Sequence, residues 1–339
     1  MRRYTFFSLA MLFLLAPLTF AHEPKSRSYN FEYEVTLTEI PQNSQDLKIW
    51  IPYLPDTRYQ MIEDVKITPE NNSAITYDKT YHNKIINYAI SSPQESSLKI
   101  NIQYKITRLE FTNKPGMTLF DSDSLITKDD LQKYLKADRL VTISPKIQQM
   151  ADEITKNKLS AIEKAQAIYD YVFENVAYDK SIPGWGQGDT ERVCLIKAGN
   201  CTDFHSLFIS LARASGIPAK FVIGVPVAQE HEGQIKGYHC WAEFYDAQLG
   251  WIPVDISEAW KKKERKEYFF GALDENRLEF TQGRDIILEP TPNGEPLNYF
   301  LYPYAEIDGK EFKNIEVLFK YRDLSSEVKS IPITNDVKI

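Results

Sequence analysis

The chain has 339 residues, with 40 basic against 47 acidic side chains and a formal net charge of −7. Its hydrophobic content of 43% and charged content of 26% are those of a folded protein and exclude an intrinsically disordered chain. The length exceeds one typical hydrophobic core and predicts two domains, and the acidic balance excludes an electrostatic reason to bind nucleic acid.

The N-terminus has the pattern of a secretory signal peptide. Met1-Arg2-Arg3 is basic, residues 5–20 are uncharged and largely apolar, and Ala21 ends a cleavage site of the small-residue type. We expect cleavage after Ala21, with an uncleaved anchor as the alternative. Loss of residues 1–21 leaves 38 basic and 47 acidic side chains, a net charge of −9, and no later stretch with the length and apolarity of a membrane span. The expected location is therefore periplasmic or secreted.

Residues 22–125 are predicted to form an antiparallel β-sandwich domain. Apolar and polar residues alternate through 29–37, 47–52 and 98–106, which is typical of strands with one buried face. Clusters rich in Pro, Asn and Ser separate these runs and indicate turns. This part of the sequence has no catalytic constellation, so we expect a structural or binding module.

Residues 126–298 are predicted to form a core of helices and strands. Capping residues and helical spacing predict helices that begin near residues 127, 144, 159, 190 and 200. Strands are predicted over residues 221–225, 238–245 and 251–255. Further strands are expected in residues 299–339, packed on the preceding domains.

A cysteine stands at the start of one of these helices. Cys201 follows Gly199 and the predicted N-cap Asn200, so unpaired N–H groups and the positive helix dipole lie beside its thiol. This setting favours a thiolate and could hold a developing oxyanion. A buried structural cysteine is the alternative interpretation. The odd cysteine count also leaves open a Cys194–Cys240 disulfide with Cys201 free.

A histidine and an aspartate lie on the two strands of a predicted hairpin. If the turn is centred on Ala247, His239 faces Asp255 directly, whereas a shift of two residues leaves them diagonal on one face. An acid beside histidine fixes its tautomer and stabilises the imidazolium. By the same alternation Trp241 is expected to cover the site, while Cys240 points to the opposite face and is expected in the core.

Three blocks of the sequence carry a family resemblance. They are Gly199-Asn200-Cys201-Thr202-Asp203-Phe204, His239-Cys240-Trp241-Ala242-Glu243 and Gly250-Trp251-Ile252-Pro253-Val254-Asp255. Together they resemble the bacterial transglutaminase-like family over residues 150–260. The resemblance implies an α+β fold with a papain-like transglutaminase core, here preceded by the β-sandwich. It also implies Cys201 as nucleophile, His239 as general base and acid, and Asp255 as the residue that orients the imidazole.

The expected reaction is cysteine-dependent acyl transfer on an amide of a peptide or protein, with cell-wall peptide as one candidate substrate. Water as acceptor gives hydrolysis, as in a cell-wall peptide amidase, and an amine gives cross-linking. A non-catalytic binding or assembly module that retains the fold is the alternative. Trp185 and Gln187, in the loop before the cysteine, are candidates for a second oxyanion donor.

No cofactor or metal is expected. The five histidines are scattered without zinc-ligand spacing. Asp121 and Asp123 open a segment like a calcium loop, but Ile126 and Gln132 occupy the positions where an EF-hand requires Gly and Glu.

Overall fold

The computed structural model describes residues 24–112 and 127–324. The predicted signal peptide over residues 1–21 and the Asp121–Asp123 pair lie outside these ranges. The strands are β1 (Ser26–Leu37), β2 (Asp46–Pro52), β3 (Gln60–Thr68), β4 (Ser73–Tyr77), β5 (Lys84–Ser91), β6 (Leu98–Leu109), β7 (Phe111–Thr112), β8 (Ala177–Tyr178), β9 (Ala198–Gly199), β10 (Ala219–Pro226), β11 (Glu232–Ile235), β12 (His239–Asp246), β13 (Gly250–Val254), β14 (Ala272–Leu273), β15 (Arg277–Gln282), β16 (Tyr304–Ile307), β17 (Lys310–Glu311) and β18 (Ile315–Asp323).

Five of the six α-helices in the described residues begin where capping residues predict them. The six are α1 (Lys128–Gln132), α2 (Pro145–Ile154), α3 (Ala161–Asn175), α4 (Thr190–Ile196), α5 (Cys201–Ala214) and α6 (Ile256–Lys261). The N-cap side chains of Thr127, Ser144, Ser160, Asp189 and Asn200 each accept a backbone N–H of the following turn. These bonds satisfy donors that a helix start leaves unpaired, which is why the five predicted starts are observed.

Two five-stranded antiparallel sheets form a sandwich. Their strand orders are β11-β18-β1-β6-β3 and β17-β16-β2-β5-β4. Every second residue of β1 from Tyr29 to Leu37 is buried, and this face shares a hydrophobic core with Leu47, Ile49 and Ile51 of β2. The alternating pattern of the sequence therefore marks the inner face of the sandwich.

Strands from the end of the described chain complete both sheets. β18 pairs with β1 from Tyr29↔Asp323 to Leu37↔Ile315, and β16 pairs with β2. The short strand β11, from the loop that precedes His239, pairs with the outer edge of β18. The first and last described strands are thus neighbours in one sheet, a pairing that periodicity along the chain does not specify.

The core is built on a four-stranded antiparallel sheet of order β13-β12-β10-β15. Helix α5 packs against β12, and α2, α3 and α4 pack around α5. The opposite face of the sheet packs on the sandwich through a separate apolar cluster that includes Tyr59, Phe111, Val222 and Trp241. The molecule is a mixed α and β fold with antiparallel sheets, which confirms the predicted fold class.

In residues 24–112 and 127–324, no helix has both the length and the apolar character needed to cross a membrane.

Candidate active site

Cys201 is the first residue of helix α5 and is 2% exposed. The side-chain oxygen of Asn200 accepts the N–H of Thr202 at 2.9 Å. The Asp203 carboxylate accepts the N–H of Asn200, also at 2.9 Å, and this second hydrogen bond completes a capping box. The cap fixes the direction in which α5 starts and places the thiol at the positive end of the helix dipole.

His239 and Asp255 meet at the ends of two neighbouring strands. His239 begins β12, and Asp255 immediately follows β13, where its side chain caps α6 by accepting the N–H of Glu258 at 3.0 Å. The Nε2 atom of His239 lies 2.6 Å from Oδ2 of Asp255, and both side chains are buried. The other ring nitrogen, Nδ1, is therefore the one available to the thiol.

The hairpin that carries this pair differs in register from the direct opposition expected with a turn centred on Ala247. Ala242 pairs with Val254, which places the turn centre at Gln248 rather than one residue earlier. The Asp246 carboxylate accepts the N–H groups of Gln248 and Leu249 at 2.9 and 3.1 Å and organises this turn. The histidine and aspartate are consequently diagonal neighbours.

Electrostatics keep Asp255 ionised despite complete burial. Burial alone raises the pKa of a carboxyl group, but the positive charge and hydrogen bond of His239 and the guanidinium of Arg277 hold the pKa of Asp255 well below its usual range. The Nη2 atom of Arg277 lies 3.6 Å from Oδ2, and Ser257 Oγ lies 3.2 Å from Oδ1. Asp255 is thus an anion fixed by neighbours on several sides.

The histidine and the cysteine have pKa values shifted in opposite directions. Burial disfavours the charged ring of His239, but the Asp255 carboxylate outweighs it and raises the pKa of His239 to about 9. A hydrogen bond with the Cys240 thiol, followed by the hydrogen bond and charge of His239, holds the pKa of Cys201 well below its ordinary value despite burial. These opposite shifts favour a thiolate on Cys201 beside an imidazolium on His239.

Cys240 is buried as expected, but it does more than fill the core. Its Sγ atom lies 3.7 Å from Oγ1 of Thr202, the residue after Cys201, and burial raises its own pKa well above the ordinary thiol range. Cys194 instead lies 3.9 Å from the sulfur of Met150, and all three cysteines are free. The Cys194–Cys240 disulfide that the sequence left open is not formed in the structure.

His205 is a member of the site that sequence reasoning missed. It lies one helical turn after Cys201, and its Nε2 accepts the N–H of Ile256 at 3.0 Å while lying 3.7 Å from Oδ1 of Asp255. Nδ1 faces Cys240 Sγ at 3.8 Å. Burial lowers the pKa of His205 to about 4, so the ring is neutral near pH 7. Its spacing of four residues from the cysteine was the signal that could have identified it.

Asp203 connects the start of α5 to the loop that carries the two candidate oxyanion donors. Its carboxylate accepts the N–H of Gly186 at 2.7 Å and of Gly188 at 3.1 Å. The loop residues Trp185 and Gln187 are therefore held beside the helix start. Charged hydrogen bonds of this kind stabilise a folded loop more than neutral ones do.

Both candidates lie on the surface of this loop. Trp185 is 38% exposed, and its ring lies 5.2 Å from the Lys180 ammonium. Gln187 is exposed, and it is its backbone carbonyl that accepts Arg284 Nη2 at 2.7 Å. The donor that the helix start itself offers is the N–H of Cys201.

Trp241 does not cover the site, contrary to the expectation from strand alternation. It is fully buried in the cluster that joins the core sheet to the sandwich, and its Nε1 donates to Glu243 at 3.3 Å. Alternation assigns a residue to a face of the sheet, but the element that packs on that face is decided by the three-dimensional fold.

The described residues contain no group of three or more His, Cys, Asp or Glu side chains arranged to hold a metal ion.

Comparison with known proteins identifies the core. Residues 148–256 match the family model of the transglutaminase-like superfamily. This segment contains Cys201, His239 and Asp255 together with all three sequence blocks. Residues 148–256 therefore form a transglutaminase-like core, as the sequence predicted.

Relatives and solved structures extend the similarity beyond the core. An uncharacterized protein of Haemophilus influenzae is 29% identical and covers 87% of this chain and 91% of its own length. The uncharacterized protein YebA of Bacillus subtilis is 23% identical over 42% of this chain and 22% of its own length. A crystal structure described as a "Putative Cysteine Protease" from Cytophaga hutchinsonii superposes with a TM-score of 0.58 at 16% identity, over 90% of this chain and 93% of that one. This last similarity supports the fold alone.

Proposed function

We propose that this protein is an exported cysteine enzyme that transfers acyl groups from amide bonds of peptides or proteins. In this proposal Cys201 is the nucleophile, His239 the general base and acid, and Asp255 the residue that orients the imidazole. The observation that carries the proposal is one buried imidazole whose Nε2 lies 2.6 Å from Asp255 and which is close enough to Cys201 that each group shifts the pKa of the other.

The first step forms a thioester. The Cys201 thiolate attacks the carbonyl carbon, and the oxyanion that develops is stabilised by the N–H of Cys201 at the start of α5. The imidazolium of His239 then donates its proton to the leaving amine, the C–N bond breaks, and an acyl-enzyme remains. Asp255 stabilises the imidazolium until that transfer and holds the ring in the required tautomer.

The second step releases the acyl group. His239, now neutral, removes a proton from the acceptor, which attacks the thioester while the Cys201 thiolate departs. Water as acceptor makes the enzyme an amidase or peptidase, and a primary amine makes it a cross-linking transferase. Both outcomes require the same three side chains.

A glutamine-containing peptide and a fluorescent primary amine test the proposal and separate the two outcomes. Incorporation of the amine supports cross-linking, and release of ammonia with the free acid supports hydrolysis. The Cys201→Ala variant should do neither, while Cys194→Ala should retain activity because that thiol lies against Met150. A wild-type protein that forms no acyl-enzyme with this peptide or with isolated cell-wall peptides would favour the non-catalytic binding module.

Trp185 and Gln187 remain our candidates for a second oxyanion donor, since Asp203 holds their loop beside the cysteine. Trp185→Phe keeps an aromatic ring and removes the N–H, so a fall in kcat of roughly 10²-fold with an unchanged KM is expected if this N–H donates. Tyr77→Phe, which removes the polar hydrogen of an exposed aromatic side chain on β4 of the sandwich, is the control. A kcat equal to that of the control removes Trp185 from the mechanism.

Export is proposed from the N-terminal sequence. Mass spectrometry of the protein recovered from a bacterial periplasm should give a mature chain that begins at His22. Recovery of the intact N-terminus in the membrane fraction would instead identify an anchored protein.

A further inference from the structure

A polar cavity lies on the face of the core sheet opposite to helix α5, where that sheet meets the sandwich. Its volume is about 400 Å³, within the range of roughly 300–1,000 Å³ typical of small-ligand sites. Exposed residues such as Asp56 and His82 form its rim, and the buried side chains of Arg108, Tyr134 and Trp251 line its interior. It is therefore a lined pocket with an opening to solvent.

Arg108 gives this cavity a cation whose Nε is unsatisfied and whose main favourable charge is that of Glu279 in the same cavity. The residue is 1% exposed, its Nε has no hydrogen-bond partner, and no carboxylate of the described residues lies within 4 Å of its guanidinium. Lys220, in the same cavity, is by contrast paired with Glu243 at 3.0 Å. A buried guanidinium N–H without a hydrogen-bond acceptor is costly. The Nε–Nη edge of arginine matches the two oxygens of a carboxylate.

Two acceptors from strand β15 line the same cavity. The carboxylate of Glu279 forms no side-chain hydrogen bond within the described part of the chain, and burial together with the charge of Glu243 raises its pKa to about 7. The side-chain oxygen Oε1 of Gln282 is buried without a partner. Buried polar atoms that the protein leaves unsatisfied require water or a ligand. A ligand with both an anionic group and a hydrogen-bond donor would satisfy this cation and the two acceptors.

Part of the remaining wall is aromatic, and the ammonium groups of Lys133 and Lys220 lie over the rings of Tyr134 and Trp251. The rings of Tyr134 and Trp251 pack edge to face with centroids 4.9 Å apart, and Tyr81 lies 6.0 Å from Tyr134. Such a wall accepts an apolar or aromatic body beside the polar groups.

We propose that this cavity binds a free aromatic amino acid, with the carboxylate on Arg108, the ammonium between Glu279 and Gln282, and the ring against Tyr134 and Trp251. The site is distinct from the thiol site. Glu243, which lines the cavity, lies four residues along β12 from His239, a distance of about 13 Å for an extended strand. Binding can therefore be measured without any assay of acyl transfer.

Three related compounds test the ligand chemistry on the full-length protein. L-phenylalanine carries both charged groups, 3-phenylpropionate lacks the ammonium, and 2-phenylethylamine lacks the carboxylate. Calorimetric titration should detect L-phenylalanine, with each of the other two at least tenfold weaker. Absence of binding by L-phenylalanine at millimolar concentration, or equally tight binding of 3-phenylpropionate, overturns the proposal.

Variants test the position of the ligand. Arg108→Gln and Glu279→Gln should each weaken L-phenylalanine binding at least tenfold, whereas Arg322→Gln, an exposed arginine paired with Glu232, should leave it unchanged. The melting temperature of free Arg108→Gln is measured alongside, because this substitution also removes the attraction between Arg108 and Glu279. If that variant does not fold, Arg108→Lys is used instead. Lysine keeps the positive charge but cannot form a bidentate pair with a carboxylate, so its L-phenylalanine affinity should fall by the same factor. Equal affinity of these variants and the wild type would refute the site.

Discussion

His239 and Asp255 form a buried contact of 2.6 Å although they are diagonal rather than opposed across the β12–β13 hairpin. The contact forms because Asp255 lies one residue beyond β13 and is held at the start of α6 by the N–H of Glu258. The carboxylate is thus anchored by a helix cap, and the imidazole is anchored by the carboxylate. This geometry and the shifted pKa values have consequences for thiol reactivity, pH dependence and stability.

Cys201 should be the most reactive of the three thiols. Its pKa is lowered, whereas burial raises the pKa of both Cys194 and Cys240, and alkylation follows the thiolate fraction. Iodoacetamide at pH 7 followed by peptide mass spectrometry should find Cys201 modified first. His239→Gln should slow that labelling, because it removes the positive charge beside the sulfur. Equal and slow labelling of all three thiols contradicts the assignment.

Activity should depend on pH through a thiolate–imidazolium pair. Cys201 loses its proton well below the ordinary thiol range, and His239 keeps its proton up to about pH 9. The plot of kcat/KM should therefore be flat through neutrality and fall above pH 9, where His239 can no longer protonate the leaving amine. A basic limb near pH 6.5, the value of an unperturbed histidine, would show that Asp255 does not act on the ring.

The raised pKa of His239 also contributes to the stability of the folded protein. The pKa of His239 is higher in the folded than in the unfolded chain, so this contribution is complete below about pH 6.5 and is lost as the pH rises through about 9. Urea unfolding of wild type and His239→Gln at pH 6 and pH 10 measures it. The difference in unfolding free energy between the two proteins should be smaller at pH 10.

Asp255→Asn should lower kcat by roughly 10³-fold or more, because the amide neither stabilises the imidazolium nor selects the same tautomer. The basic limb of the pH profile should also move to lower pH, since the Asp255 charge is what raises the pKa of His239. Asp274→Asn is the matched control, because Asp274 contacts Arg277 and not the histidine. If kcat/KM of Asp255→Asn falls at the same alkaline pH as that of the wild type, Asp255 does not raise the pKa of His239.

Gly188→Ala should destabilise both the fold and the site. Gly188 has φ of +64°, and a Cβ atom there would lie 2.2 Å from Oγ of Ser206 and 2.7 Å from Nη1 of Arg284. Gly216 has φ of +77° with open space around it, so Gly216→Ala measures the backbone strain alone, about 1 kcal/mol. Urea denaturation should give a loss for Gly188→Ala that exceeds this control by about 1–3 kcal/mol. Equal losses would mean that the loop moves freely.

Elements set by local chemistry were predictable from the sequence. The start of α5 follows from Asn200, whose side chain caps the helix, and from Asp203, which returns to the Asn200 N–H. The register of the hairpin was not predictable in the same way. It depends on the Asp246 side chain, which accepts two N–H groups and moves the turn centre by one residue.

Contacts between distant segments could not be predicted either, because they leave no local pattern in the sequence. His205 and Arg277 approach Asp255 from α5 and β15, and neither position carries a pattern that specifies this partner. Trp241 was assigned to the correct strand, but the sandwich covers its face of the sheet. Strand alternation contains no information on what packs against a face.

The sequence by itself determined the residue types of the thiol site, the helix that begins at the cysteine and the two strands that carry the histidine and the aspartate, because caps and periodic burial act over a few residues. Only the tertiary structure decided the diagonal contact of the acid–imidazole pair, the neutral second histidine and the polar cavity around Arg108. These features depend on burial and on charges brought together from remote segments, and those exist only once the chain is folded.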